Sequence, residues 1–178
     1  TTGVTTAGTS GQAGAYTQIV VAASAPTLYY QCSSHAGMGG QANTNSTLGS
    51  SNFDGTIQNT VKASPTAGFA IVSWTGNGSS GSTLGHGLGV APKAIITKRR
   101  AHASHWATFH NALGSGSELY FDLTQGATNS NFWVSSPTSS VFTVSAADYV
   151  NEASNTYIAY CFSEVSSYSK FGSYKGNG

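Results

Sequence analysis

Thr156-Tyr157-Ile158-Ala159-Tyr160-Cys161-Phe162-Ser163 has the pattern of a β-strand. From Tyr157 to Phe162 the residue types alternate with a period of two, the period at which an extended strand sends successive side chains to opposite faces. Ser140-Val141-Phe142-Thr143-Val144-Ser145 alternates in the same way. Working outward, strand signals recur at 68–75 (GFAIVSWT), 93–98 (KAIITK), 105–109 (HWATF), 117–122 (SELYFD) and 130–134 (SNFWV). Turn residues separate these seven segments at intervals of about eight to twelve residues, the spacing of an antiparallel β-sandwich or jelly roll. No segment shows a convincing 3.6-residue period, so little helix is expected.

Composition supports the same class. Of 178 residues only 7% are charged, against about a quarter in an ordinary soluble domain. The net charge of +1 offers no basic stripe for phosphates, which argues against a nucleic-acid protein. It equally lacks the charged flanks of a coiled coil. Hydrophobic residues at 39% and aromatics at 11% are enough to bury a core, so disorder is not expected. No run of about 18 apolar residues is present to cross a membrane as a helix. The polar fraction is mostly Ser, Thr, Asn and Gly, which favour turns and short strands.

Ahead of the sandwich lie two more β-rich segments, 15–23 (AYTQIVVAA) and 27–31 (TLYYQ), separated by Pro26. Residues 41–66 are rich in Gly, Asn, Ser and Thr and poor in large apolar residues, so they read as a polar linker or arm ending near Pro65. The expected organisation is a β segment at 1–40, a linker at 41–66 and a sandwich module at 67–168. The segment 169–178 would open a second copy of the module. That last expectation rests on FAIVSWTGNG (69–78) and SKFGSYKGNG (169–178), in which Ser73, Gly76, Asn77 and Gly78 recur as Ser173, Gly176, Asn177 and Gly178. A strand followed by Gly-Asn-Gly is also a hairpin signal. The start, TTGVTTAGTS, shows no basic or apolar leader, and the chain reads as an internal piece of a longer protein.

The N-terminal segment carries the one constellation with metal chemistry. Tyr29-Tyr30-Gln31-Cys32-Ser33-Ser34-His35-Ala36-Gly37-Met38-Gly39-Gly40 contains Cys-x-x-His-x-x-Met after a strand. A thiolate, an imidazole and a thioether on one loop are the ligand types of blue copper. The loop resembles the ligand loop of the cupredoxins, of the plastocyanin and amicyanin kind. That resemblance covers about residues 10–40 and implies Cys32, His35 and Met38 as copper ligands. The family's first His normally lies on an earlier strand, and no His precedes Cys32 here. The plainer reading is a buried core strand ending in Cys32, with His35 and Met38 packing a turn. Cys32 and Cys161 fall on different modules and read as two separate thiols rather than a disulfide.

The second module resembles a repeated domain of long structural proteins in marine tailed phages. The residues that carry this are Thr75-Gly76-Asn77-Gly78, then His86-Gly87-Leu88-Gly89-Val90-Ala91-Pro92-Lys93, then Ile95-Ile96-Thr97-Lys98-Arg99. In such proteins a plastocyanin-like segment often lies upstream. The resemblance implies a virion protein, extracellular, of a tail fibre, appendage or capsid-surface fibre, with other virion proteins as partners. Analogy with fibres implies a homotrimer. It implies no catalytic residues.

Several residues have readings of their own. The glycines around His86 suit positive φ, and His86 is expected to bond backbone inside that turn. Lys98-Arg99-Arg100 is the one basic run, either solvated or gripping an acidic host-surface glycan. His102, His105 and His110 flank Trp106 at a spacing that zinc sites use, with no Cys or carboxylate near in sequence. Trp106, Trp133 and Tyr149 are candidates for a sugar platform, while Trp74 and Trp133 fit better in the core. The six carboxylates, Asp54, Glu118, Asp122, Asp148, Glu152 and Glu164, form no catalytic motif, and Glu118 and Asp122 read as solvated. No enzymatic activity is expected. The two other functional readings are a copper-binding cupredoxin-like module fused to β repeats and a secreted bacterial adhesin.

Overall fold

The computed structural model describes residues 3–21, 28–42, 49–129 and 131–177. It is all-β, with 40% strand and 2% helix, in antiparallel sheets. Contacts divide the chain into two units, Thr1–Ser50 and Ser51–Gly178.

The first unit contains two hairpins. Strands β1 (Val4–Ala7) and β2 (Tyr16–Ile19) pair antiparallel, Val4 opposite Ile19. Strands β3 (Leu28–Gln31) and β4 (Gly39–Ala42) do the same, Gln31 opposite Gly39. The segment at 1–40, expected to be cupredoxin-like, holds two separate two-stranded sheets among the described residues. Pro26 and its neighbours at 22–27 lie outside them.

The second unit is a β-sandwich. Its strands are β5 (Ser50–Asn52), β6 (Asn59–Ser64), β7 (Phe69–Thr75), β8 (Ser82–Gly85), β9 (Ala94–Arg99) and β10 (Ala107–His110). These are followed by β11 (Ser117–Tyr120), β12 (Thr128–Asn129), β13 (Trp133–Ser135), β14 (Val141–Val144) and β15 (Thr156–Phe162). One sheet has eight strands in the order β12-β11-β10-β9-β15-β7-β6-β5, and the other has three, β13-β14-β8. The seven expected segments are all present as β7, β9, β10, β11, β13, β14 and β15. Ser130, at the start of the fifth, lies outside the described residues.

Strand alternation builds the core. Ala70, Val72 and Trp74 of β7, Tyr157, Ala159 and Cys161 of β15, Ile95 of β9, and Ala107 and Phe109 of β10 point inward. They meet Leu84, Trp133, Phe142 and Val144 of the smaller sheet. Trp74 stacks on Tyr157 at 5.3 Å and meets Phe142 edge-on at 6.0 Å. The core placement of Trp74 and Trp133 is as expected: they are 5% and 1% exposed.

The expected linker at 41–66 needs correction. It contains β5 and β6, and Pro65 opens a single 3-10 turn, Pro65–Ala67, rather than ending an arm. Strand β6 pairs with β7 from Thr60↔Ser73 to Ser64↔Phe69. A strand one place from the sheet edge needs few apolar residues. Val61 fills one inward position, and Asn59 fills another by donating its Nδ2–H to Gly85 O at 2.7 Å. The sandwich therefore begins with β5 at Ser50, not at residue 67. In the segment 169–178, expected to open a second copy, Ser169 forms an isolated bridge with Val165, residues 170–177 form no strand, and Gly178 lies outside the described residues.

The Gly-Asn-Gly hairpin signal also resolves differently. The turn after β7 does not return to a neighbouring strand; it crosses to β8 in the other sheet. Asn151, fully buried, holds it there. Its Nδ2–H group donates to Asn77 Oδ1 at 2.8 Å and Ser79 O at 3.0 Å, and its Oδ1 accepts from Asn77 N–H at 3.1 Å. The Gly76 N–H donates to Asn155 O at 2.8 Å. A Cβ on Gly76 would sit 2.2 Å from Glu152 O, so only glycine fits this approach.

Removing the Asn151 amide leaves several buried polar groups unpaired. Asn151→Ala is expected to lower the unfolding free energy by about 2–4 kcal/mol, read from urea denaturation curves.

Candidate functional site

The hairpin loop between β3 and β4 brings part of the expected metal constellation together. Cys32 N–H donates to Met38 O at 2.7 Å and Met38 N–H to His35 O at 3.3 Å, closing the loop. Cys32 Sγ and His35 Nδ1 then lie 3.3 Å apart, and Ser34 N–H points at the same sulfur at 3.4 Å. Met38 is 59% exposed. A blue-copper centre needs two imidazoles and a thiolate, with the thioether as a weak fourth ligand. Among the described residues no group of three His, Cys, Asp or Glu side chains could hold a metal ion. The loop brings Cys32 and His35 together, and among the described residues no second imidazole joins them.

Both cysteines are free. Cys161 is fully buried on the inner face of β15, and burial pushes its thiol far above the usual range. Cys32 is only partly buried on a loop. A thiol reagent such as DTNB is therefore expected to label one cysteine in the native protein and two in denaturant; native Cys32→Ser should show none.

The histidines separate into unrelated roles. His86 is fully buried in the turn after β8. Its Nδ1 accepts from Leu88 N–H at 3.2 Å, so the proton sits on Nε2 and is donated to Thr138 O at 3.2 Å. Gly87 and Gly89 take φ of 67° and 75° around it. Desolvation lowers the His86 pKa below its ordinary 6.5, against the opposing pull of Thr138 O and Asp54. His105 Nδ1 bonds Asp122 Oδ2 at 3.0 Å, and its ring packs on Tyr120 and Tyr149. His110 Nδ1 accepts from Ala112 N–H at 3.2 Å, and His102 is exposed. The structure does not gather His102, His105 and His110 at one point.

Because His86 binds its proton more weakly folded than unfolded, its contribution is complete above pH 6.5 and declines as pH falls below that value. Denaturation measured from pH 7.5 to about pH 5 should show wild type losing stability more steeply than His86→Gln.

The carboxylates are also dispersed. Glu118 is 1% exposed, not solvated as expected. It faces inward from β11 and accepts from Thr128 Oγ1 at 3.2 Å, and burial raises its pKa. Asp122 lies at the strand end, where Trp106 N–H and His105 occupy its two oxygens at 3.0 Å each.

The basic run is sorted by the pleat. Arg99 turns to the inner side and bonds Glu152 at 2.6 Å and Asn155 at 3.0 Å, with Asp148 at 3.9 Å. Lys98 turns to the outer side, its Nζ 5.4 Å from the Trp106 ring centre while it donates to Ser104 O. Arg100 follows the end of β9, exposed, and lines a polar cavity of about 260 Å³ with Thr60, Ser73, Thr75 and Thr156.

That outer face of the eight-stranded sheet is the feature sequence reading missed. Phe69 and Ile71 of β7, Ile158, Tyr160 and Phe162 of β15, Ile96 of β9, Trp106 ahead of β10 and Leu119 of β11 stand on it, each half-buried. Phe162 lies 5.1 Å from Phe69, Phe69 stacks 6.3 Å from Tyr160 at 8°, and Tyr160 stacks 6.3 Å from Trp106 at 29°. Phe171 adds a ring 6.2 Å beyond Phe162. The sugar platform expected from Trp106, Trp133 and Tyr149 is not assembled. Trp133 is core, and Tyr149 packs with Phe132 and Tyr120. Trp106 instead joins Tyr160 and Phe69. The signal was available: β15 carries large apolar residues at both alternating sets of positions, as a strand covered on both faces does.

Residues 41–178 match the family described as a domain of unknown function, DUF7483, and the chain belongs to that family. No curated protein and no solved structure matches it.

Proposed function

With that membership as premise, we propose that the chain is a structural and adhesive module of a bacteriophage virion, in a tail fibre, appendage or capsid-surface fibre. It works outside the cell and without catalysis. The observation that carries the adhesive part is the outer sheet face. An antiparallel sheet open to water alternates apolar inward with polar outward. Here the outward positions of β7, β15 and β9 carry Phe69, Ile71, Ile96, Ile158, Tyr160 and Phe162. Contiguous apolar surface of this kind marks a place where something is laid against the fold.

The phage setting is supported by the resemblance of the Gly-Asn-Gly and His-Gly-Leu-Gly segments to repeats of tailed-phage structural proteins. Physical features suit that setting. The core is tied by buried amides rather than disulfides, which makes it independent of redox conditions. The edge strands are short, three residues in β5 and two in β12, which limits uncontrolled edge pairing. The module is proposed to act as a homotrimer alongside other virion proteins.

Peptide mass spectrometry on purified particles tests the setting. Peptides of this chain are expected to co-purify with capsid and tail proteins. Recovery in a secreted or cell-surface fraction instead would replace the virion reading with a bacterial adhesin. Sedimentation at micromolar concentration should show a trimer, and a monomer there would remove that part of the proposal.

A further inference from the structure

We infer that the outer face of the eight-stranded sheet is a binding surface for an acidic oligosaccharide chain, with the Phe69–Tyr160–Trp106 rings as its stacking floor. This rests on the adhesive reading and names what is bound.

Three observations converge on it. The first is the floor: Phe69, Tyr160 and Trp106 are half-buried on outward positions, Phe69 and Tyr160 within 8° of parallel and Tyr160 and Trp106 within 29°, with the Lys98 ammonium over the Trp106 ring. A pyranose presents a flat array of polarised C–H groups, which pack on the negative face of an aromatic ring. The second is the rim: Thr60, Ser73, Thr75 and Thr156, together with Gln58, Asn59 and Trp74, line a cavity of about 260 Å³ beside Arg100, and the hydroxyl-bearing residues match sugar hydroxyls as donors and acceptors. The third is charge. The cross-strand row Thr60–Ser73–Ile158–Lys98, and the next row, Thr75–Thr156 with Arg100 beyond it, hold cations and no carboxylate. Of the carboxylates near the basic run, Asp148 and Glu152 are on the inner side with Arg99, and Asp122, beside Trp106, is taken up by the Trp106 N–H and His105.

The same observations disfavour other occupants. A second copy pairing this face with itself would bring Lys98 and Arg100 of both copies onto one interface, against the depletion of charge in interface cores. A single-stranded nucleic acid also stacks on aromatic rings, but it needs a groove of cations tracking its phosphates, and the whole chain has a net charge of +1.

The full chain is applied to an array carrying uronate, sialate and sulfated oligosaccharides beside neutral ones, and to a fluorescent oligo-dT. Binding is expected on acidic sugars, weakening with salt. Trp106→Ala should reduce it by at least about tenfold. Arg100→Gln, at an exposed position that leaves packing untouched, should reduce acidic-sugar binding several-fold and narrow the gap to neutral sugars. Thermal melts confirm that both variants fold. Absence of signal on every acidic sugar overturns the inference, as does binding unaffected by both variants or tighter binding to oligo-dT. If the array fails while the peptides still co-purify with particles, the virion reading stands and this surface assignment alone falls.

Discussion

The structure depends on the last strand lying between two strands formed much earlier in the chain. Strand β15 pairs with β7 from Thr156↔Thr75 to Phe162↔Phe69 and, on its other edge, with β9 from Tyr157↔Arg99 to Phe162↔Ala94. Without it the eight-stranded sheet would separate into two pieces, each with an open edge. Its seven residues supply Tyr157, Ala159 and Cys161 to one face and Ile158, Tyr160 and Phe162 to the other. The core and the outer aromatic rows are therefore two sides of the same strand. Loop closure over this separation is entropically costly, and burial on both faces offsets it.

What seats β15 is a set of polar groups at its leading end. Tyr157 Oη donates to Asp148 O at 2.6 Å and accepts from Glu152 N–H at 2.9 Å. Arg99 reaches Glu152 and Asn155 from the neighbouring strand, and Asn151 fastens the Gly76–Ser79 crossover. These contacts join the loop before β15 to both sheets. They also consume Arg99 on the inner side, which leaves Lys98 and Arg100 as the basic groups that this run presents outward. Seating the strand and charging the outer face are consequences of one pleat.

The first unit follows a different logic. Its hairpins are local, so sequence neighbours make its contacts: the two backbone hydrogen bonds that close the Cys32–Met38 loop also bring Cys32 and His35 together. Two-stranded hairpins bury little by themselves. A local loop can present three ligand types, but a closed metal site requires a donor from elsewhere in the fold, and the described residues bring none.

The fold class, the seven principal strands, the core tryptophans and the role of His86 as a turn residue were legible in the sequence. Each is a matter of period or backbone geometry, which short stretches encode. The sequence did not show β6, because a strand held by Asn59 and Val61 has the composition of a loop. Nor did it show that Gly-Asn-Gly crosses between sheets, since the deciding partner, Asn151, is distant in the chain. The two-sided apolar pattern of β15 hinted at a second covered face, but not at which rings would share it. Phe69, Trp106 and Tyr160 come together only through the strand order β10-β9-β15-β7, which long-range pairing sets and no local pattern records.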